Sequence, residues 1–174
     1  MHVLVATDGE METAAAADFA ATLAGGDGRV TVLTVIEVPR AFLSDVRSHW
    51  LAEDGPSVVA DYTFVETPSV HQEGPTGWPG DDALIERYLN DKLEQNTAPL
   101  VRALLERGIE TDSRVVESEN VASTIIEQLV ALDAEVVVIG SHGQGLFQGL
   151  LGSTGTKIVR RSPKPVLLIR SATP

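Results

Sequence analysis

The stretch that most constrains this chain runs from Val136 to Thr154. There the apolar run Val-Val-Val-Ile empties into Gly140-Ser-His-Gly143 and, after further glycines, into Gly152-Ser-Thr154. Val136 to Ile139 is too short and too β-branched to propagate as a helix, so it reads as a strand. Gly140, Gly143, Gly145, Gly149 and Gly152 then permit turns that other residues resist and remove side chains that would keep a ligand away. Ser153 and Thr154 offer a cap for a helix through Lys157, Ile158 and Val159, and the free amides of a helix start attract phosphate. A nucleotide-phosphate site is the reading favoured by this order, with an ordinary glycine-rich turn as the alternative. Two other phosphate signatures are absent. Gly143-Gln-Gly145 is not followed by a glycine three residues on, and Gly155-Thr-Lys157 lacks the Gly-Lys-Ser/Thr order. Neither a dinucleotide-binding dehydrogenase nor a P-loop NTPase is supported.

The rest of the chain repeats the alternation of strand and helix. His2 to Ala6 is a short apolar strand, and Glu10 to Leu23 places Met11, Ala15, Phe19 and Leu23 on one helical face. Six alanines make this a slim, strongly helix-forming segment, which Gly25-Gly-Asp-Gly28 ends. Val30 to Val38 is a second, nearly continuous β-branched run, the kind buried between two helical layers. Asp81-Asp82 opens a long amphipathic helix ended by Gly108, with a kink expected at Pro99. Ile109 to Glu117 is a third strand. Val121 to Leu132 is a helix turning Val121, Ile125, Leu129 and Leu132 inward, and Glu135 to Ile139 a fourth strand. After the glycine loop come a helix and a final strand, Val166 to Ile169. Strands separated by helices imply parallel pairing with right-handed crossovers, hence an α/β fold: a three-layer, doubly wound sandwich on a five-stranded parallel sheet. Ligands of such folds bind at the carboxyl ends of the strands, where the winding reverses.

Between Pro39 and Gly80 the periodicity is lost among prolines and glycines, and the segment reads as an elaborated loop at 39–80. Its Trp50 and Trp78 fit a satellite cluster over the core or a ligand lid, and Val58 to Val65 fits a short strand or helix. With 174 residues and 43% hydrophobic content, a single domain over 1–174 is expected.

Composition excludes several chemistries. The chain has no cysteine, so disulfide scaffolds and thiolate chemistry are out. Its four histidines, His2, His49, His71 and His142, show no metal-ligand spacing. A net charge of -12 argues against a nucleic-acid surface, because phosphate backbones call for clustered Lys and Arg. Such acidity serves solubility or, as an alternative, adaptation to a salty cytoplasm. No basic leader precedes the first strand, and no segment approaches the roughly 20 apolar residues that span a bilayer. A soluble, cytoplasmic protein without membrane contact is expected.

Four stretches together resemble the universal stress protein family. Val3-Leu-Val-Ala-Thr-Asp-Gly9 is similar to its first strand, and Val32-Leu-Thr-Val-Ile36 to its second. Val136 to Gly143 is similar to its fourth strand and loop, and Gly152-Ser153 with Lys157 to Ile169 to its last helix and strand. The family's nucleotide-binding branch carries Gly, two residues, Gly, nine residues, Gly and then Ser or Thr. Here Gly140, Gly143, Gly152 and Ser153 fit, but only eight residues separate Gly143 from Gly152. A second departure is Glu119-Asn120-Val121 where the family often has Gly-x-Pro. The resemblance implies an adenine nucleotide, ATP or AMP, with any Mg2+ held through its phosphates. It implies that Asp8 contacts the ribose side and that Ala6 and Val35 enclose the base. Gly140 and Gly143 would approach the phosphates, Ser153 and Thr154 donate to them, and His142 and Ile139 complete the set. Asp8 has a plainer reading as a cap for the first helix. Ser141 and His142, being adjacent, make a poor nucleophile and base, so no catalytic residue is assigned. The resemblance also implies a homodimer through the edge strand Val166-Ile169. The expected role is regulation or stress survival, with a nucleotide-free interaction protein or a slow ATP hydrolase as alternatives; the protein partner is not inferable.

Overall fold

The computed structural model describes residues 1–38, 81–141 and 152–170. The 39–80 loop with Trp50, Trp78 and Val58 to Val65 lies outside the described residues, as do His142, Gly143, Gly145 and Gly149. Among the described residues the order is β1 (His2–Ala6), α1 (Thr13–Ala24), β2 (Arg29–Ile36), α2 (Asp81–Glu106), β3 (Glu110–Glu117), α3 (Val121–Ala131), β4 (Val136–Ser141), α4 (Ser153–Arg161) and β5 (Val166–Arg170). The strands form one all-parallel sheet in the order β3-β2-β1-β4-β5. The chain winds outward from β1 to β3, then returns to the other side of β1 for β4 and β5, so the winding reverses between β1 and β4.

Alternation along buried strands feeds two cores. Val3 and Val5 join Val30, Val32, Val136 and Val138 beneath the α1 alanines and Leu100 and Leu104 of α2. Leu4 and Ala6 join Leu33, Val137 and Ile139 beneath Ile125 and Leu129 of α3 and Ile158 of α4. Both faces being covered, β1, β2 and β4 read as largely apolar runs without polar alternation, whereas the edge strand β3 is polar and mostly exposed.

Two local expectations are corrected. The buried stripe of α1 is Ala16, Ala17, Ala20 and Ala24, while Phe19, expected on the inward face, is 53% exposed. Methyl groups let the helix axis approach the valine-covered sheet, whereas a phenyl ring would hold it away. β4 extends through Gly140 and Ser141, which pair with Ile169 and Arg170 of β5; the first residues after Ile139 therefore belong to the sheet. Pro99 lies within α2 without ending it.

By contacts the chain divides into two compact units, Met1–Glu37 with Leu89–Pro174, and Val38–Tyr88. The described part of the second unit is Val38 and the first two turns of α2. Among the described residues no helix is long and apolar enough to cross a membrane.

Candidate functional site

A cleft of about 400 Å³ opens at the carboxyl ends of β1, β2 and β4, at the reversal point of the sheet. Its size is in the range of small-molecule sites. Ala6 and Ile139, paired across β1 and β4, lie at its base with Leu33 and Val35 of β2. Val121 and Ile125, one turn apart on α3, make a wall, and Ile158 of α4 closes the apolar floor. Thr7 and Asp8 form one polar rim; Gly152, Ser153, Thr154 and Gly155 form the other.

The rim at α4 is electrostatically distinct. Each of α1, α3 and α4 follows a strand and begins at this end of the sheet. Glu12 caps α1, its carboxylate accepting from Ala14 N at 3.1 Å and Ala15 N at 2.7 Å. Asn120 caps α3 through Ser123 N at 3.4 Å. At α4 the cap residue is Gly152, with no side-chain cap hydrogen bond and no acid in the first turn. Among the described residues no side chain therefore offsets the partial positive charge of this helix start. Of the cations that follow, Lys157 lies in the first turns of α4 and Arg170 pairs with Ser141 at the carboxyl end of the sheet, while Arg160 and Arg161 lie in the last turn of α4. No Asp or Glu occurs after Glu135, whereas Lys157, Arg160, Arg161, Lys164 and Arg170 all do, in a protein of net charge -12.

Of the expected site residues, Ala6, Asp8, Val35, Ile139, Gly140, Gly152, Ser153 and Thr154 come together in this one cleft, from four separate segments. His142 and Gly143 lie outside the described residues. Ser153 and Thr154 stand inside the first turn of α4, with Gly152 as its cap, which corrects their expected capping role. Asp8 does not cap α1 either. That place is Glu12's, and Asp8 Oδ1 accepts from Glu10 N at 3.1 Å. The cleft also uses Thr7, Leu33, Val121, Ile125, Gly155 and Ile158, which sequence reasoning did not select. Their signals were faint but present: Leu33 lies two residues before Val35, and Val121 and Ile125 share a helical face. The acid-free run after Glu135 pointed to the anion end as well.

Comparison with known proteins agrees with this architecture. The model of the universal stress protein family matches residues 1–170. A universal stress protein of Mycobacterium tuberculosis is 35% identical over 173 residues, covering 97% of this chain and 48% of that protein. The chain thus spans about half the length of that relative. Among solved structures, the universal stress protein from Archaeoglobus fulgidus in complex with dAMP is similar at a TM-score of 0.56 and 18% identity, covering 98% of both chains. A universal stress protein in complex with cAMP is similar at a TM-score of 0.51 and 18% identity, covering 99% of this chain and 98% of its own.

Proposed function

The chain belongs to the universal stress protein family, and from that premise we propose that its cleft binds an adenine nucleotide, ATP or AMP, and that the protein is a nucleotide-responsive regulator in stress survival. The observation that carries this reading is the pairing of opposite rims across an apolar floor. Asp8 offers a carboxylate on one side, suited to ribose hydroxyls. The uncapped start of α4 offers amides to phosphate on the other. Between them Ala6, Val35 and Ile139 present a surface suited to a flat, weakly polar base. The dAMP and cAMP complexes of similarly folded proteins support the same ligand class.

Asp8 is the sole carboxylate among the described lining residues. One carboxylate suits a sugar contact better than a dedicated Mg2+ cage, and Mg2+ would arrive on the nucleotide's own phosphates. Apart from Asp8, the described lining holds no titratable side chain to act as a general base. The reading is of binding rather than turnover, in the cytoplasm and as a homodimer. Dimerisation would use β5, an edge strand with Leu168 39% exposed, since an unpaired apolar edge invites another chain. Because Leu168 is not in the core, Leu168→Lys should yield folded monomers by light scattering; an unchanged mass would remove the strand from the interface.

Gly152→Val tests the nucleotide site. Among the described residues a Cβ at Gly152 meets nothing within 4 Å, so the added side chain projects at the anion rim without straining the described fold. Calorimetry should show ATP binding weakened at least tenfold, about 1.4 kcal/mol, at unchanged melting temperature. Equal affinity in the two proteins would reject the site.

A further inference from the structure

We propose that Asn96, on the opposite face of the sheet from the cleft, is a positioning residue that sets the direction of the Asp8 carboxylate; this rests on the nucleotide reading above. Among the described residues, three hydrogen bonds tie the backbone of the turn that carries Asp8. Thr7 N donates to Leu33 O at 2.9 Å, Gly9 N to Thr7 Oγ1 at 3.0 Å and Glu10 N to Asp8 Oδ1 at 3.1 Å. Asp8, Gly9 and Glu10 are exposed, so the two local bonds, to Thr7 Oγ1 and Asp8 Oδ1, compete with water. Behind the turn stands α2. Gly9 adopts φ +92°, and a Cβ built on it would lie 3.1 Å from Asn96 Oδ1 and 3.3 Å from Asn96 Cα. The glycine backbone therefore lies directly on the helix at this residue.

Asn96 is itself fixed. Its Nδ2 donates to Thr34 Oγ1 at 3.0 Å, and Thr34, on β2, is fully buried. A planar carboxamide with one end tied to the sheet has its other end defined, and that end, Oδ1, faces Gly9. The contact runs from β2 through Thr34 and Asn96 to Gly9, and Gly9 is bonded to the residue that bears the rim carboxylate. Leu100 and Leu104 anchor this part of α2 in the core, so the backing is rigid. Recognition of a ribose requires the carboxylate to be held to within a fraction of an ångström, which first-rank residues on exposed turns achieve through supporting neighbours.

The test is a double-mutant cycle with an independent structural arm. ATP affinity is measured by calorimetry for wild type, Asn96→Ala, Asp8→Ala and the double variant, with Asn96→Leu as a volume-keeping second replacement. Amide hydrogen exchange at Gly9 and Glu10 is followed in the same proteins. If Asn96 acts through Asp8, its replacement should weaken ATP roughly fivefold or more with Asp8 present and less than about twofold in the Asp8→Ala background, as expected for coupled residues. Exchange at Gly9 and Glu10 should accelerate while Val5 and Val32 keep their protection. Equal losses in both backgrounds, or unchanged exchange at Gly9 and Glu10, would overturn the proposal. A wild-type protein that binds no adenine nucleotide would instead defeat the nucleotide reading. In that case accelerated exchange still supports the brace, and unchanged exchange removes it.

Discussion

The two ends of this one sheet are built on opposite principles. At the amino end the strands are sewn shut by side chains. His2 lies 3.0 Å through Nδ1 from Leu132 O and 2.9 Å through Nε2 from Thr31 Oγ1. Thr31 Oγ1 donates to Asp112 Oδ1 at 2.7 Å, and Glu135 Oε1 accepts from His2 N at 3.0 Å. This network joins β1, β2, β3 and the segment before β4 into one polar seam. At the carboxyl end the residues are small, the α4 start is uncapped, and a cleft remains. The difference teaches where to look for stability and where for function. At the amino end polar groups satisfied within the protein hold the sheet together, whereas at the carboxyl end small residues leave the concave space that a ligand site needs.

Two glycines sharpen the contrast and carry the largest expected effect. A Cβ at Gly28, just before β2, would fall on the Ala24 carbonyl oxygen and 2.5 Å from Met1 O, and both obstacles are backbone. Gly28→Ala should therefore cost about 1–3 kcal/mol or more, as forced overpacking does, and lower the melting temperature by several degrees. Gly152→Ala, whose Cβ meets nothing within 4 Å among the described residues, should leave melting unchanged. Similar losses in the two variants would break the distinction between the ends.

Next in size is an effect confined to the carboxyl end. The stretch from Gly143 to Gly152 is one residue shorter than the pattern it resembles, and a residue spans at most about 3.6 Å, comparable with the spacing of phosphate contacts. The outer phosphates should lose a donor while the adenosine contacts persist. Competition binding is expected to give an ATP preference over AMP below tenfold, less than about 1.4 kcal/mol; a larger preference would show that the glycines absorb the deletion.

The amino end should answer to pH instead. Burial, then the Arg29 guanidinium, lowers the His2 pKa below its ordinary 6.5, with Arg114 acting in the same sense and against the opposing pull of the Leu132 carbonyl and Asp112. A histidine held low binds its proton less readily folded than unfolded. Its contribution to stability is then fully present above pH 6.5 and is lost as the pH falls below that value toward the folded-state pKa. Denaturant midpoints should decline on acidification, and His2→Gln should flatten that part of the profile. An identical slope in the variant would assign the decline to carboxylates.

The smallest expected effect is global. With a net charge of -12, added KCl should raise the melting temperature by screening carboxylates beyond about 10 Å at roughly 0.1 M. A flat response to molar KCl would leave the acidity a solubility feature alone.

Much of the fold was legible because burial on both faces writes itself into composition. β1, β2 and β4 are apolar without alternation, and intervening helical periods dictate parallel crossovers. On the expected α1 face Met11 is buried and Ala15 and Leu23 pack against the core, but Phe19 was misplaced, because periodicity ranks residues by hydrophobicity while the sheet selected methyl groups for close approach. β4 was drawn short because Gly140 and Ser141 resemble loop residues, and only pairing with β5 makes them strand.

By itself the sequence determined the parallel α/β class, the glycine-and-hydroxyl segment at the last helix, and a carboxylate directly after the first strand, since each depends on residues close together in the chain. Tertiary structure decided that Asp8 and Ser153, 145 positions apart, stand on facing rims of one cleft, and that Asn96 lies behind the first of them. Strand order, set by which apolar faces bury together, brings those residues into one place, and no local pattern encodes that order.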